Sequence, residues 1–392
     1  MDVKREVYLD NSATTRISDE ALAKYVEVSK NVYGNPSSLH KMGLLAEREL
    51  ELARERILRA VGAKNSSVIF TASGTEANNL AIFGRAYAKE RFLRGAKIIT
   101  TLGEHASVSE PYKKLESQGY TCIALSSTGG KIDIDELISK LDKSVILVSV
   151  MMVNNETGAL YDIKEIAKAI KAHAPEALLH VDATQSFGKV KFTKDGILAD
   201  MITISSHKIE GPKGMGALVV TRDLISRKAI APMTLGGGQE WGMRSGTENV
   251  PAAAAFGVAA EIAYRELDAN IAKLSETKEY LLDGLASVEE LSSVSVTTPE
   301  RSAPHIINLT VPKIKSETLL HYLSSLGIYV SSGSACSSNS HHLSSALTAF
   351  GKSDEEADSS IRISLSKRTE KEDIDAFIDG LTSAIKRLAR MK

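Results

Sequence analysis

Residues 145–181 read VILVSVMMVNNETGALYDIKEIAKAIKAHAPEALLHV, with two short apolar runs on either side of a helical pattern. The runs at 145–150 and 178–181 predict buried strands, whereas apolar residues between 163 and 170 recur at the spacing of one helix face. A strand, a helix and a second strand in this order predict a right-handed crossover between parallel strands. The stretch therefore indicates an α/β fold whose parallel sheet is covered by helices on both faces.

The same alternation extends over most of the chain. Further strands are predicted at 68–70, 97–101, 121–125, 201–204 and 217–220, with helical patterns in the intervals. After about residue 250 the alternation of strand and helix patterns stops. A helical pattern from 252 to about 285 is typical of a connector between domains. Short strand candidates follow at 293–296, 306–309 and 361–364. We predict a large domain over 17–262 and a smaller α+β domain formed by 1–16 and 263–392.

The bulk composition is that of a globular protein. Of 392 residues, 43% are hydrophobic and 25% charged, and 48 basic residues almost balance 49 acidic ones. No charge run suits nucleic acid or an anionic membrane surface, and no apolar stretch is long enough to span a membrane. Two cysteines are too few for a disulfide framework. Because the first ten residues show no apolar signal core, we expect a cytoplasmic protein.

Three predicted strands end in polar residues that a packed core does not require. Residues 71–76 open a helix whose N-terminus suits an anion such as phosphate, although an ordinary Ser or Thr cap is a compatible alternative. Asp182 is either a helix cap or a buried acid with a cationic partner. Lys208 is either a surface lysine or an amine that forms a Schiff base. All three follow strands, and ligands of such sheets bind at the carboxyl ends of the strands.

Lys208 lies in the segment SSHKIEGPKG at 205–214. Six further segments are YLDNSATT at 8–15, GNPSS at 34–38, VNNETG at 153–158, VDATQ at 181–185, MRSGT at 243–247 and SSGSAC at 331–336. In this order, and over almost the whole chain, they resemble the motifs of NifS/IscS-like cysteine desulfurases in the class V aminotransferase family. The resemblance implies a pyridoxal-phosphate-dependent transferase of fold type I, with a mostly parallel seven-stranded sheet in the cofactor-binding domain.

The resemblance also implies roles for individual residues. Lys208 is the Schiff-base lysine, Asp182 the partner of the pyridine nitrogen, and His105 stacks on the ring and assists proton transfer, although a lone His is more often structural. Further cofactor contacts are implied for Gly74, Thr75, Asn155, Gln185, Ser205, His207 and Thr247, of which Thr247 reaches the partner subunit's phosphate in a homodimer. Substrate contacts are implied for Arg362, Asn155 and Asn35, and the planar guanidinium of Arg362 suits a carboxylate.

The two cysteines lie in contrasting sequence surroundings. Cys336 lies in a Ser- and Gly-rich loop without bulky side chains, which we expect to be mobile. By resemblance, its thiolate takes sulfur from L-cysteine as a persulfide and passes it to an acceptor for iron–sulfur cluster or thio-cofactor biosynthesis. Cys122 lies in an alternating strand, and we expect a small buried hydrophobe there.

Several features leave alternatives open. Residues 337–343 replace a Leu-Glu-Pro-Ser-type stretch of many relatives, and Glu210 stands where an aromatic or other residue is frequent. His341 and His342 do not indicate a metal site, because adjacent helical residues point in different directions. Selenocysteine lysis or transamination is a rival reaction in the same family, and a non-catalytic scaffold is a rival of another class. A nicotinamide enzyme fits poorly, because no G-x-G-x-x-G follows the first strand.

Overall fold

The computed structural model describes residues 6–88, 95–332 and 344–388. The strands are β1 (Val7–Tyr8), β2 (Ser66–Thr71), β3 (Lys97–Thr101), β4 (Thr121–Leu125), β5 (Val145–Met151), β6 (Leu178–Asp182), β7 (Met201–Ser205), β8 (Gly216–Thr221), β9 (Ser295–Val296), β10 (Ile306–Thr310), β11 (Ile328–Tyr329), β12 (Ser331–Ser332) and β13 (Ser360–Ser364). The helices are α1 (Asp19–Asn31), α2 (Lys41–Ala60), α3 (Gly74–Ala88), α4 (Ala106–Ser117), α5 (Ile134–Lys140), α6 (Ile163–His173), α7 (Arg222–Ser226), α8 (Val250–Arg265), α9 (Leu267–Ser287), α10 (Ser316–Ser325), α11 (Ser345–Phe350), α12 (Asp354–Asp358) and α13 (Lys371–Leu388).

The largest sheet has seven strands in the order β2-β8-β7-β6-β5-β3-β4. Neighbouring strands from β7 to β4 are parallel, whereas β8 is antiparallel to both β2 and β7. The predicted, mostly parallel seven-stranded sheet is therefore confirmed. Met151 pairs with Asp182, and Asp182 pairs with Thr203. The carboxyl ends of β5, β6 and β7 consequently meet at one edge of the sheet.

The strand–helix–strand unit from β5 to β6 forms for the reasons that its sequence suggests. All seven residues of β5 are buried, as expected for an interior strand covered on both faces. Helix α6 begins after Asp162, whose side chain accepts a hydrogen bond from the Glu165 N–H at 3.1 Å. The apolar residues at its helical spacing, among them Ile166 and Ile170, are buried against the sheet.

Buried apolar side chains form three clusters. Two of them lie on opposite faces of the large sheet, because alternate residues of β5 point to opposite sides. Val148 belongs to one of these clusters and Leu147 to the other. The third cluster includes Leu309 and Phe377 and packs on a second, antiparallel sheet with the order β12-β13-β10-β9. The division of the chain between residues 262 and 263 stays a prediction. No helix in the described ranges is long and apolar enough to cross a membrane.

The connector, which the sequence marks by one long helical pattern, consists of two helices in the structure. Helices α8 and α9 are separated at Glu266, which has φ −99° and ψ 6°. The break is local, because the Glu266 N–H bonds to the Ile262 carbonyl and the Glu266 carbonyl accepts from the Asn270 N–H. The Glu266 carboxylate pairs with Lys367 at 2.9 Å, a contact from far along the chain. Without Gly or Pro at this point, the sequence pattern gave no sign of the break.

Gly257 allows α2 and α8 to pack closely, because a Cβ at this position would lie 2.7 Å from the Cα of Ala53. Ala at a helix interior ordinarily gains up to about 1 kcal/mol over Gly. Here we expect Gly257→Ala to lower the free energy of unfolding by about 2 kcal/mol instead, because the added methyl group overpacks two helix backbones. Urea unfolding measures the difference. Gly284→Ala is the matched control, since its Cβ would meet only the end of the Ile378 side chain. Equal losses in the two variants would contradict this explanation.

Candidate active site

A cavity of about 480 Å³ opens at the carboxyl edge of β5, β6 and β7. Its walls come from the N-terminal segment, the first residues of α3 and α4, the turn after β5, and strand β13. Ten of the predicted site residues line this cavity, namely Gly74, Thr75, His105, Asn155, Asp182, Gln185, Ser205, His207, Lys208 and Arg362. The structure thus gathers most of the predicted site into one place.

Asp182 ends β6 with its side chain almost fully buried. One carboxylate oxygen accepts a hydrogen bond from the Thr184 N–H at 2.9 Å, and the other accepts from the Asn78 side-chain amide at 2.8 Å. Both donors are uncharged, so the negative charge in this dry position suits a cationic partner in the cavity. A protonated pyridine nitrogen has that chemistry. Asn78 was missed by the sequence analysis, although it is a polar residue among the buried residues of α3.

Helix α3 begins at the cavity wall. Its first turn is capped by the Ser73 hydroxyl, which accepts a hydrogen bond from the Glu76 N–H at 3.1 Å, while Gly74 and Thr75 face the cavity. The helix cap leaves room for the predicted phosphate site, which stays a prediction. Gly216 in β8 lets this turn approach closely, since a Cβ there would collide with the backbone of Ser73.

Lys208 follows β7 in a short 3₁₀ turn. Its amine donates hydrogen bonds to the carbonyls of Ser12 and, at 2.8 Å, of Ala13. Gln185 also donates to the Ser12 carbonyl at 2.9 Å, whereas its side-chain oxygen is buried without a hydrogen-bond partner among the described residues. That oxygen fits a hydroxyl donor in the cavity, such as the cofactor's ring hydroxyl.

His207 and His105 are both held as neutral rings. Burial, followed by the charges of neighbouring lysines including Lys208, lowers the pKa of His207 to about 4. Burial also lowers the pKa of His105, while Asp182 opposes this shift. The Nδ1 of His105 accepts a hydrogen bond from the Ser107 N–H at 3.1 Å and so caps α4. Its structural and functional interpretations are therefore compatible, because the ring both caps a helix and faces the cavity.

A hydrogen-bonded chain connects His105 to the buried acid. Ser107 Oγ lies 2.8 Å from His105 Nδ1 and accepts from the Asn78 amide at 2.8 Å, and that amide also donates to Asp182. Just before His105, the buried Glu104 accepts from Met151 N at 2.9 Å, and burial raises its pKa to about 8. The hydrogen bond from Met151 to Glu104 thus connects the end of β5 to the segment after β3, beside the cavity. The sequence analysis identified none of these supporting residues.

Arg362 enters the cavity from the second sheet. It alternates along β13 with Ile361 and Ile363, which are buried in the third cluster. Its guanidinium donates to the Asn155 carbonyl at 2.9 Å and to the Asp10 carboxylate at 2.8 Å. Its Nε is buried without a hydrogen-bond partner among the described residues. A cation held in this way is suited to binding a carboxylate.

Other predicted residues are not brought into this cavity. Thr247 and Asn35 are exposed and lie outside it in the single chain, so their roles stay predictions. Cys336 lies outside the described residues, as do His341 and His342. Before that gap Ser331 lines the cavity, and after it Ser344 donates a hydrogen bond to the Glu156 carboxylate.

Cys122 corrects one expectation. It is partly rather than fully buried, because β4 is an edge strand of the large sheet. Its thiol donates to the Tyr112 carbonyl at 3.3 Å, and burial, with the nearby Glu116 charge, raises its pKa to about 11. The thiol is thus protonated near neutral pH and is a poor nucleophile.

The large sheet, the buried acid, the lysine beyond a strand and the helix N-terminus together define a pyridoxal-phosphate enzyme of fold type I. A family model described as aminotransferase class-V matches residues 7–377. The chain belongs to the aminotransferase class-V family, which confirms the resemblance seen in its motifs. Enzymes of this family use pyridoxal phosphate, and the residues of the cavity fit that cofactor.

Individual relatives agree with this assignment. The cysteine desulfurase IscS of Dictyoglomus turgidum is 38% identical over 388 residues, covering 98% of this chain and 96% of that protein. Cysteine desulfurase IscS 1 of Archaeoglobus fulgidus is 36% identical over 385 residues, or 98% of each protein. Among solved structures, a NifS-like protein has a TM-score of 0.89 at 34% identity, covering 97% of this chain and 100% of that one. A NifS-like protein from Rickettsia africae has a TM-score of 0.85 at 32% identity, covering 97% and 99%.

Asn78→Ala tests the support of the buried acid. Removing a hydrogen bond to a buried charge costs about 1.5–3 kcal/mol, so we expect pyridoxal phosphate to bind roughly 10–100-fold more weakly. Titration of the apoprotein with the cofactor, followed by visible absorbance, measures the affinity. Asn79→Ala is the matched control, because the Asn79 amide donates to the backbone carbonyls of Thr75 and Ser107 and not to the Asp182 carboxylate. Equal affinity in wild type and Asn78→Ala would show that Asp182 does not depend on this donor.

Proposed function

We propose that the chain is a cysteine desulfurase, which converts L-cysteine to L-alanine and transfers the sulfur as a persulfide. The observation that carries the proposal is that Lys208, Asp182 and Arg362 line one cavity. The similar relatives of the chain within its family are cysteine desulfurases, which supports the same reaction. The amine, the buried acid and the guanidinium provide for cofactor attachment, ring protonation and recognition of an amino acid's carboxylate.

The cavity residues divide between the two ends of the cofactor. When bound, pyridoxal phosphate supplies an electron sink for negative charge at the substrate Cα. Asp182 would hold the pyridine nitrogen in its protonated form, and the Gln185 amide would contact the ring hydroxyl. The N-terminus of α3, with Thr75 and Ser205, would hold the phosphate through uncharged donors.

Substrate binding and proton movement fall to other residues. Arg362 would bind the substrate carboxylate, held in place by Asp10 and the Asn155 carbonyl. The Lys208 amine, in its uncharged form, would take the proton from the substrate Cα. His105, neutral near pH 7, can accept or return a proton on the same side of the cavity.

Sulfur transfer is assigned to Cys336. Its thiolate would attack the substrate sulfur, so that an S–S bond forms while the substrate Cβ–S bond breaks. The electron pair of the broken bond passes to Cβ, which takes a proton and becomes the methyl group of alanine. The enzyme keeps the sulfur as a persulfide until an acceptor thiol or protein removes it. Delivery to iron–sulfur cluster or thio-cofactor biosynthesis fits such an acceptor. A reducing compartment such as the cytoplasm suits this chemistry, because Cys336 must be a free thiol.

The sulfur step is tested with L-cysteine and a reductant. We expect equimolar alanine and sulfide from the wild type, and a loss of at least about 100-fold in Cys336→Ala that retains the yellow cofactor, because no other thiol takes the sulfur. Cys122→Ala is the matched control and should retain wild-type turnover, since its protonated thiol is remote from the reaction in this proposal. Alanine formation that survives in Cys336→Ala would favour selenocysteine lysis or another class V reaction.

A homodimer with shared sites is the second part of the proposal. Exposed apolar side chains occur in two loops, with Tyr33 and Leu39 in one, and Leu235 and Trp241 in the other. Leu39 is 96% exposed and Leu235 80%, which is unfavourable unless a partner covers them. The same two loops carry Asn35 and lead to Thr247. We infer that a second copy covers this surface and that Thr247 contacts the partner's phosphate.

Mixed dimers test the shared site. A Lys208→Ala subunit paired with a Thr247→Ala subunit should contain one intact site, because the intact Lys208 of one chain meets the intact Thr247 of the other. We expect about half of wild-type activity from the purified heterodimer, measured as alanine release. Each homodimeric variant serves as a control. If the wild type is active, the Thr247→Ala homodimer is impaired and the heterodimer is inactive, Thr247 acts in the site of its own subunit. A monomeric wild type would exclude the shared site.

A further inference from the structure

Lys189 is a buried amine that the proposed mechanism leaves unused. It lies in the turn after β6, seven residues beyond Asp182, and only 8% of it is exposed. Its Nζ has no hydrogen-bond partner among the described residues. Burying an amine in this way is unfavourable. A packing role alone would be filled better by an apolar side chain of the same length, so the amine calls for an electrostatic explanation.

The position of Lys189 relates it to Lys208. Both residues line a second cavity of about 60 Å³, whose wall also includes Glu210 and Lys367. A space of this size holds roughly two water molecules. Lys208 thus lines both the large cavity and this small one, whereas Lys189 lines only the small one of the two.

The charges around Lys189 are mostly positive. Lys208 and Arg362 repel a proton on its amine, while the Glu210 carboxylate attracts one. That carboxylate is itself 3.5 Å from Lys367 and 3.4 Å from Arg368, so its charge is already compensated.

A further basic group in this region is His305, which is fully buried. Both its ring nitrogens lack hydrogen-bond partners among the described residues. Burial, followed by the Lys189 and Lys278 charges, holds the pKa of His305 well below its usual range. The ring is thus neutral and adds no further positive charge beside Lys189.

Burial and the charge of Lys208 lower the pKa of Lys189 from 10.5 to about 7. Coulomb repulsion is reciprocal, so a proton on Lys189 equally disfavours a proton on Lys208. A lysine that attaches a carbonyl cofactor or removes a Cα proton must be uncharged at working pH, and a nearby second cation is one way to achieve this.

We propose that Lys189 is a positioning residue for Lys208, whose amine it keeps in the uncharged form by electrostatic repulsion across the small cavity. Lys189 acts through Lys208 and contacts neither substrate nor cofactor in this arrangement. The inference rests on the proposed function, because it requires Lys208 to be the residue that attaches the cofactor.

The first test uses the holoenzyme of Lys189→Met. The visible absorption of the bound cofactor changes with pH as the nitrogen of Lys208 gains or loses its proton. Without the neighbouring cation, the midpoint should move upward by about 0.5–1 pH unit, as expected for the loss of repulsion between two like charges in a partly screened site. Lys191→Met is the matched control, since that side chain is 68% exposed and pairs with Asp268 at 2.8 Å. An unmoved midpoint in Lys189→Met would overturn the proposal.

The second test separates this role from simple packing. Because the pKa of Lys189 is lower in the folded protein than in the unfolded chain, the unfolded state binds more protons between about pH 10.5 and 7. Wild type therefore loses stability as pH falls through this range. The apoprotein of Lys189→Met should exceed the wild-type Tm by a few degrees at pH 7 and by less at pH 9, whereas Lys191→Met should show no such trend. If Lys189→Met raises the Tm but leaves the pH midpoint of the cofactor absorption unchanged, the buried amine only lowers stability and does not act on Lys208. That result would contradict the proposal.

Lys208→Ala distinguishes a failure of this inference from a failure of the proposed function. Its holoenzyme should lack the pH-dependent band, because the titrating nitrogen is removed. If the band persists, Lys208 is not the cofactor lysine and both proposals fail. If the band is lost but Lys189→Met leaves the wild-type midpoint unchanged, only the role of Lys189 is rejected.

Discussion

The buried carboxylate of Asp182 is the constraint around which the candidate site is arranged. In a position with so little solvent, each oxygen needs a donor, and these come from the Thr184 N–H and the Asn78 amide. Asn78 fixes α3, whose N-terminus lines the cavity, and through Ser107 it reaches His105 at the start of α4. One charge thus aligns β6, α3 and α4 before any ligand binds.

A second set of contacts brings Arg362 to the same cavity. Strand β13 buries Ile361 and Ile363 in the third cluster, and the alternation of the strand turns Arg362 toward the large sheet. Asp10 and the Asn155 carbonyl then hold the guanidinium from two other segments of the chain. Because these partners come from the N-terminal segment and from the turn after β5, the position of Arg362 depends on how distant segments of the chain pack together.

Basic groups are concentrated around the cavity, and the pKa values of several of them are lowered. Burial and mutual repulsion lower the pKa of His207 to about 4 and that of Lys189 to about 7. The same burial holds His305 neutral. Arg362, in contrast, has a carboxylate beside it, since its guanidinium lies 2.8 Å from Asp10. The site consequently offers an amine and imidazole rings that can accept protons, beside one guanidinium that can bind an anion.

Sequence alone determined the α/β class, the mostly parallel sheet and ten of the residues lining the cavity, because strand and helix periodicity and short motifs are local properties. The order of the strands, the break at Glu266 and the partial exposure of Cys122 in an edge strand were decided by tertiary structure. So were the supporting contacts of Asn78, Ser107 and Asp10, since each depends on which distant segments pack together. Lys189 illustrates the difference most clearly: in the sequence it is one lysine among many charged residues, and only burial against Lys208 without a hydrogen-bond partner among the described residues gives its amine a chemical consequence.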